Sequence, residues 1–326
     1  MSQPSKVAVV AGGSAGVGRE TVERLIDAGF QVGVLARGKQ RLDELGELYG
    51  SDVLCVQCDV SDAQMVLKAG ATIEETLGPV RVWINAAMLT SFSPFGEVES
   101  EEFKRIVETT FIGVVNGTRT ALSLMKPRGE GRIVNVGSGL SYRSVPFQSA
   151  YCSAKHAING FSSSIRSELI HDGSRITISL VQLPAVNTPQ FDWARNRLSK
   201  KPQPAPPIFQ PQVAADAVMR AVKEGKREYF VGKSVIQLVL GNMVLPNWMD
   251  GKLADAGARQ QKSDMAEPGG RQDNLNSPVE DVAARSHGSF DAKAKESGVI
   301  VDADQLRMAV FFGLPLVIFV FGLIIG

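Results

Sequence analysis

The chain is short of the residues that would staple it, make it bind nucleic acid or hold a metal. It has 3 Cys in 326 residues, too few for a disulfide framework, so a small secreted stapled fold is excluded. Its histidines, His156, His171 and His287, are scattered and lack the close spacing of a metal site. Lys and Arg number 35 against 34 Asp and Glu, without the basic excess of a dedicated nucleic-acid binder. The opening MSQPSK has no apolar core of a secretory signal, so none is expected. Cys55 and Cys58 form a C-x-x-C string. It lies inside an apolar strand pattern with no second pair, and reads as small buried residues rather than a zinc or redox site.

What is present is uneven. The mean hydropathy of +0.01 averages three unlike parts. Residues 308–326, MAVFFGLPLVIFVFGLIIG, carry no charged side chain. As a helix they would reach about 28 Å, close to the hydrocarbon thickness of a bilayer. Pro315 is tolerable in such a span, and Arg307 stands where a cation reaches headgroups. This predicts a single-pass membrane anchor over 307–326. Residues 250–306 hold 11 acidic and 7 basic residues and one aromatic, Phe290. That composition predicts a disordered polar tether. Removing its net −4 and the +1 of Arg307 from the total of +1 leaves +4 for a domain over 1–249.

Within that domain, short β-branched runs at 6–11, 31–36, 53–58, 82–85, 132–136 and 177–183 alternate with helical patterns at 19–28, 101–126 and 150–171. The alternation predicts an α/β fold, a doubly wound parallel sheet of the Rossmann type with about seven strands.

The first strand runs into Ala11-Gly12-Gly13-Ser14-Ala15-Gly16-Val17-Gly18 and then a helix. Positions without Cβ allow a tight strand-to-helix turn, and the backbone N–H groups there face an anionic pyrophosphate. Gly12, Ser14, Gly16, Val17 and Gly18 are therefore candidate cofactor ligands. The second strand ends in Ala36-Arg37. No carboxylate is offered to the ribose hydroxyls of NAD, while the Arg37 guanidinium suits a 2′-phosphate, so NADP(H) is preferred and NAD(H) is second. Asp59, followed by Val60, closes the third strand and can meet the adenine amine.

Tyr151 and Lys155 are four apart and share a helix face. A free phenol has a pKa of about 10, and a nearby ammonium would bring it toward useful acid–base range. Ser138, at a strand end, can hydrogen-bond the same substrate oxygen.

These motifs, in this order, resemble the compact type of the short-chain dehydrogenase/reductase family over residues 5–235. The family's glycine loop is seen at Ala11 to Gly18, an altered Asn-Asn-Ala-Gly at Asn85-Ala86-Ala87-Met88, and its Ser and Tyr-x3-Lys at Ser138, Tyr151 and Lys155. Its Pro-Gly-x3-Thr stretch is seen at Pro184-Ala185-Val186-Asn187-Thr188. The resemblance implies hydride transfer between nicotinamide and a carbonyl or alcohol carbon. Tyr151 would be general acid or base, Lys155 would bind ribose hydroxyls, and Ser138 would polarise the carbonyl. Asn85, Pro184, Val186 and Thr188 would line the cofactor. Thr110 stands where the family carries an Asn that relays protons from the Lys, and Met88 replaces a Gly. These two departures support an alternative, a cofactor-binding redox-responsive scaffold with little turnover.

The segment 189–211 holds six of the 16 prolines and reads as a lid over an apolar substrate. Its basic run, Arg195, Arg197, Lys200 and Lys201 with Trp193 nearby, could rest on anionic headgroups. The apolar segment 234–249 could close the pocket. The expected partners are a small lipophilic substrate, the bilayer through 307–326 and a second copy of the chain, with the catalytic domain cytosolic.

Overall fold

The computed structural model describes residues 6–281 and 285–313. Seven parallel strands form the sheet. They are β1 (Lys6–Ala11), β2 (Phe30–Ala36), β3 (Val53–Gln57), β4 (Val80–Asn85), β5 (Glu130–Ser138), β6 (Arg175–Leu183) and β7 (Glu228–Val231). Their order is β7-β6-β5-β4-β1-β2-β3. Both faces of this sheet are covered, so each strand is a nearly unbroken apolar run; β1 buries every residue after Lys6. The six strands expected from periodicity lie within two residues of the observed ends.

Helices cover the two faces. One layer holds α1 (Gly16–Asp27), α2 (Lys39–Tyr49) and, later in the chain, Pro211–Glu224. The other holds α3 (Ala63–Leu77), α4 (Ser100–Val107), α5 (Gly113–Met125) and α6 (Ser149–His171). With Pro211–Glu224 as α7, Val22, Leu25, Val213 and Val218 pack on the first face, and Val66, Ile73, Ala121 and Met125 on the second. The helix expected at 101–126 is interrupted by a π turn over Glu108–Ile112. Because β1 is paired with β2 on one side and β4 on the other, the chain direction reverses there. A crevice opens at the carboxyl ends of these strands.

The segment 234–249 closes this crevice as α8 (Gly232–Val244), followed by α9 (Pro246–Lys252). The lid segment is knitted into small sheets: Arg195–Asn196 pairs with Ser91–Phe92, and Ile208–Phe209 with Ala185–Val186. The two arginines of the basic run are engaged within the fold, while Lys200 is exposed. Arg195 and Arg197 both pair with the buried Glu102, at 3.4 and 2.6 Å, Arg195 also pairs with Asp273, and Trp193 is buried.

The expected tether corrects most. Of this stretch, residues 250–281 and 285–306 fold back along the domain. Lys262–Ala266 pairs with Lys200–Pro202, and Ala294–Lys295 extends the Ile208–Phe209 pairing. β8 (Ile300–Asp302) adds an eighth, antiparallel strand beside β7, followed by α10 (Ala303–Met308). Its apolar residues are few, but two of them fill separate hollows: Leu275 between Leu89, Ile106 and Ala150, and Ala303 against Phe230, Val235 and Val239. Average composition hides such isolated plugs.

At Arg307 the expected headgroup contact is replaced by a buried one. Its guanidinium donates to Glu228 at 2.7 Å, a carboxylate with no exposure that also accepts from Tyr142 and Gln182. No helix among the described residues is long and apolar enough to cross a membrane. The expected span begins in α10 and the π turn Ala309–Gly313, and its remainder, 314–326, lies outside the described residues.

Candidate active site

The glycine loop turns tightly because two of its glycines meet backbone directly. Gly12 has φ +87°, and a Cβ there would lie 2.6 Å from Ala87 Cα; Gly18 packs on the Gly12 carbonyl. Gly16, at φ +57°, opens α1 and faces the Thr188 side chain. The cavity above this loop has a volume of about 740 Å³. It extends past Ser14, Val17, Asp59, Val60, Pro184 and Val186 to Ser138, Tyr151 and Lys155. The loop, a cradle that side chains would fill, and the arginines beside it fit a phosphate-bearing nucleotide cofactor.

At the far end, the Ser138 and Tyr151 side chains line the same cavity. Ser138 is fixed from both sides. Its Oγ accepts from the Leu140 N–H at 3.1 Å, and its own N–H donates to Gln182 Oε1 at 2.9 Å. Lys155 Nζ donates to the Val136 carbonyl at 2.6 Å and lies 5.6 Å from the Tyr151 ring centre. Burial lowers the Lys155 pKa to about 7. Burial also raises the Tyr151 phenol well above its ordinary value, opposed by the Ser138 side chain. The phenol is thus raised where depression by the ammonium was expected, because burial outweighs the other contributions. Two buried groups with no counter-charge both favour their neutral forms. The phenol keeps its proton, as a general acid for carbonyl reduction must.

Two sequence candidates, Thr110 and Asn85, stand elsewhere than expected, and a third, Asp59, lines the cavity but is already engaged. Thr110 is wholly buried, and its hydroxyl both donates to and accepts from the Leu89 backbone, at 3.0 and 2.9 Å. It ties down the loop after β4 and makes no bond to Lys155. Asn85 lies inside the sheet, bonded to Asn135 at 2.8 Å and accepting from Trp83 at 2.9 Å; it braces β4 against β5 behind the cavity. Asp59 accepts from Arg105 at 2.5 Å and from Ser61. Burial alone would raise its pKa, but these hydrogen bonds hold it below the usual carboxylate range. Arg37 does reach the cavity, and donates to the carbonyls of Asn274 and Leu275 at 2.5 and 3.1 Å.

Sequence reasoning missed Arg41, one turn into α2. It is 5% exposed, lines the cavity and stacks on Trp193 at 4.6 Å. Its signal was a second guanidinium four residues after Arg37, on a helix that starts at the cavity rim. The cysteines of the C-x-x-C string carry buried thiols, pushed up to about 11 for Cys55 and about 12 for Cys58, which makes both unreactive at neutral pH.

An oxidoreductase of Bacillus subtilis, described as uncharacterised, is 31% identical over 250 residues, covering 75% of this chain and 70% of its own. A putative ketoacyl reductase of Streptomyces coelicolor is 33% identical over 204 residues, covering 61% and 77%. Among solved structures, an actinorhodin polyketide ketoreductase variant with NADPH superposes with a TM-score of 0.61 at 29% identity, covering 69% of this chain and 93% of that one. The short chain dehydrogenase profile matches residues 6–198, and on that match the chain belongs to the short-chain dehydrogenase family.

Proposed function

We propose that the protein transfers a hydride between NADP(H) and a carbonyl or alcohol carbon of a bulky apolar substrate. The observation that carries this reading is that Ser138, Tyr151 and Lys155 line one cavity, with Lys155 buried beside the Tyr151 ring. When bound, NADP(H) supplies or accepts the hydride. The glycine loop, Arg37, Arg41 and Thr188 are the residues that would hold it. Ser138 offers a hydroxyl to the substrate oxygen. Tyr151 Oη gives that oxygen a proton in reduction and takes one back in oxidation. Lys155 replenishes the phenol from a site whose pKa lies close to neutral.

Apolarity of the substrate is read from the rest of that cavity's wall: Val145, Leu238, Met249 and Leu253. Outside that wall, Met243, Val244, Leu245 and Trp248 are exposed together. They favour entry from an apolar phase and, with 308–326, attachment of the full chain to a bilayer. A catalytic domain on the cytosolic side and pairing with a second copy belong to the same proposal.

The test is Tyr151→Phe. Turnover of NADPH with aldehydes and ketones of increasing chain length should fall by about 10³-fold or more, while NADPH affinity stays within about twofold. A variant that remains active would refute the assignment, and equal loss of coenzyme affinity would reassign Tyr151 to binding.

A further inference from the structure

Residues 273–281 and 285–290 run along the cavity beside the glycine loop, Arg37 and Arg41, and they are held by groups suited to an anionic nucleotide. The Gly16 N–H, first in α1, donates to the Arg285 carbonyl at 3.0 Å. Arg37 gives both its terminal nitrogens to Asn274 and Leu275. Arg41 donates one to the Val279 carbonyl at 2.6 Å. The Glu280 carboxylate accepts the Gln40 N–H at 3.1 Å, at the N-terminus of α2 and beside Gly38. An acidic oxygen there lies where the helix dipole and two arginines favour an anion. Leu275, 1% exposed, fills the hollow between Leu89, Ile106 and Ala150, a cluster against which Tyr151 packs.

The satisfaction of these donors is incomplete in one place. Nε and Nη1 of Arg41 are buried and have no hydrogen-bond partner. Such a guanidinium costs stability unless an anion completes it. Backbone carbonyls are weaker acceptors for a guanidinium than a phosphate. The strap is also fastened by removable polar contacts rather than a continuous core. Asp273 pairs with Arg195 at 2.8 Å, and Arg285 and Ser289 bind Asp192 at 2.8 and 2.5 Å.

We propose that this strap, residues 273–281 and 285–290, and the adenosine phosphates of the coenzyme are alternative occupants of one cleft. Arg41 is a coenzyme-selecting residue beyond Arg37, and Glu280 is the internal anion that stands in for the 2′-phosphate. The chain's own tail then sets coenzyme affinity, and anything that draws the strap away raises it. This rests on the NADP(H) reading above.

The test uses the full chain and two probes, adenosine 2′,5′-bisphosphate and adenosine 5′-monophosphate, titrated calorimetrically. Hydrogen exchange over 273–281 and 285–290 is followed in parallel. Saturating bisphosphate should expose those amides. Leu275→Ala and Glu280→Gln should each tighten the bisphosphate by roughly tenfold. Arg41→Ala should weaken the bisphosphate by roughly tenfold and leave the monophosphate unchanged. Binding with strap protection intact and no response to Leu275→Ala or Glu280→Gln would overturn competition while leaving the coenzyme reading standing. If neither probe nor NADPH binds wild type or any variant, the coenzyme reading itself falls. The exchange experiment on wild type decides the matter even if Leu275→Ala does not fold.

Discussion

A lysine ammonium without a counter-charge is an expensive thing to bury, and Lys155 shows it. Burial brings its pKa from 10.5 to about 7. Between those values the unfolded chain holds a proton that the folded protein does not, so stability rises with pH across that window and the loss is constant below it. Ligand-free wild type should therefore melt well below Lys155→Met near pH 7, with the gap closing as pH approaches about 10. Thermal melts at several pH values measure this directly, and a gap that stays constant would mean that the ammonium has a partner. The residue types at 138, 151 and 155 were legible in the sequence because each has one chemical use in that order. Their state was not legible, since it depends on what surrounds Lys155 rather than on the four-residue spacing. The same limit explains Thr110 and Asn85. Both have the right polarity for a site, but a hydroxyl or amide bonds to whatever lies nearest, which here is the Leu89 backbone and Asn135.

Among elements, the parallel strands were readable because burial on both faces leaves a continuous apolar signature. β8 was not. Its three residues, Ile300–Asp302, have no pattern of their own and take their conformation from the free edge of β7. The contact that secures this edge is ionic: Glu228 receives Arg307 at 2.7 Å, Tyr142 at 2.6 Å and Gln182 at 2.8 Å. Gln182 in turn accepts the Ser138 N–H. The carboxylate thus links α10 to Ser138. Glu228→Ala leaves Arg307 without its acceptor and frees Gln182, and should cost about 3 kcal/mol in urea unfolding. A change below about 0.5 kcal/mol would show that the pair is no more than a surface contact.

At the scale of the whole molecule, the division into domain, tether and span has to be redrawn. The doubly wound core was visible as alternating periods, and the apolar terminus as an unbroken run. The segment between them looked unstructured because its few apolar residues are dispersed, and only the three-dimensional positions of their hollows explain them. Cutting after residue 249 removes Leu275 from its cluster, β8 from the sheet edge and Arg307 from Glu228. If 250–306 were a tether, this truncation would melt with the full chain. The contacts instead require a markedly lower melting temperature and exposure of apolar surface, read as dye binding, because Phe230 and Val235 lose Ala303 and Leu306 from their cluster. A cut after residue 313 keeps all of those contacts. It should escape the fall in melting temperature that the cut after residue 249 produces, and, under the proposed bilayer attachment, it should leave the membrane fraction, which separates the fold's need for the tail from the bilayer's.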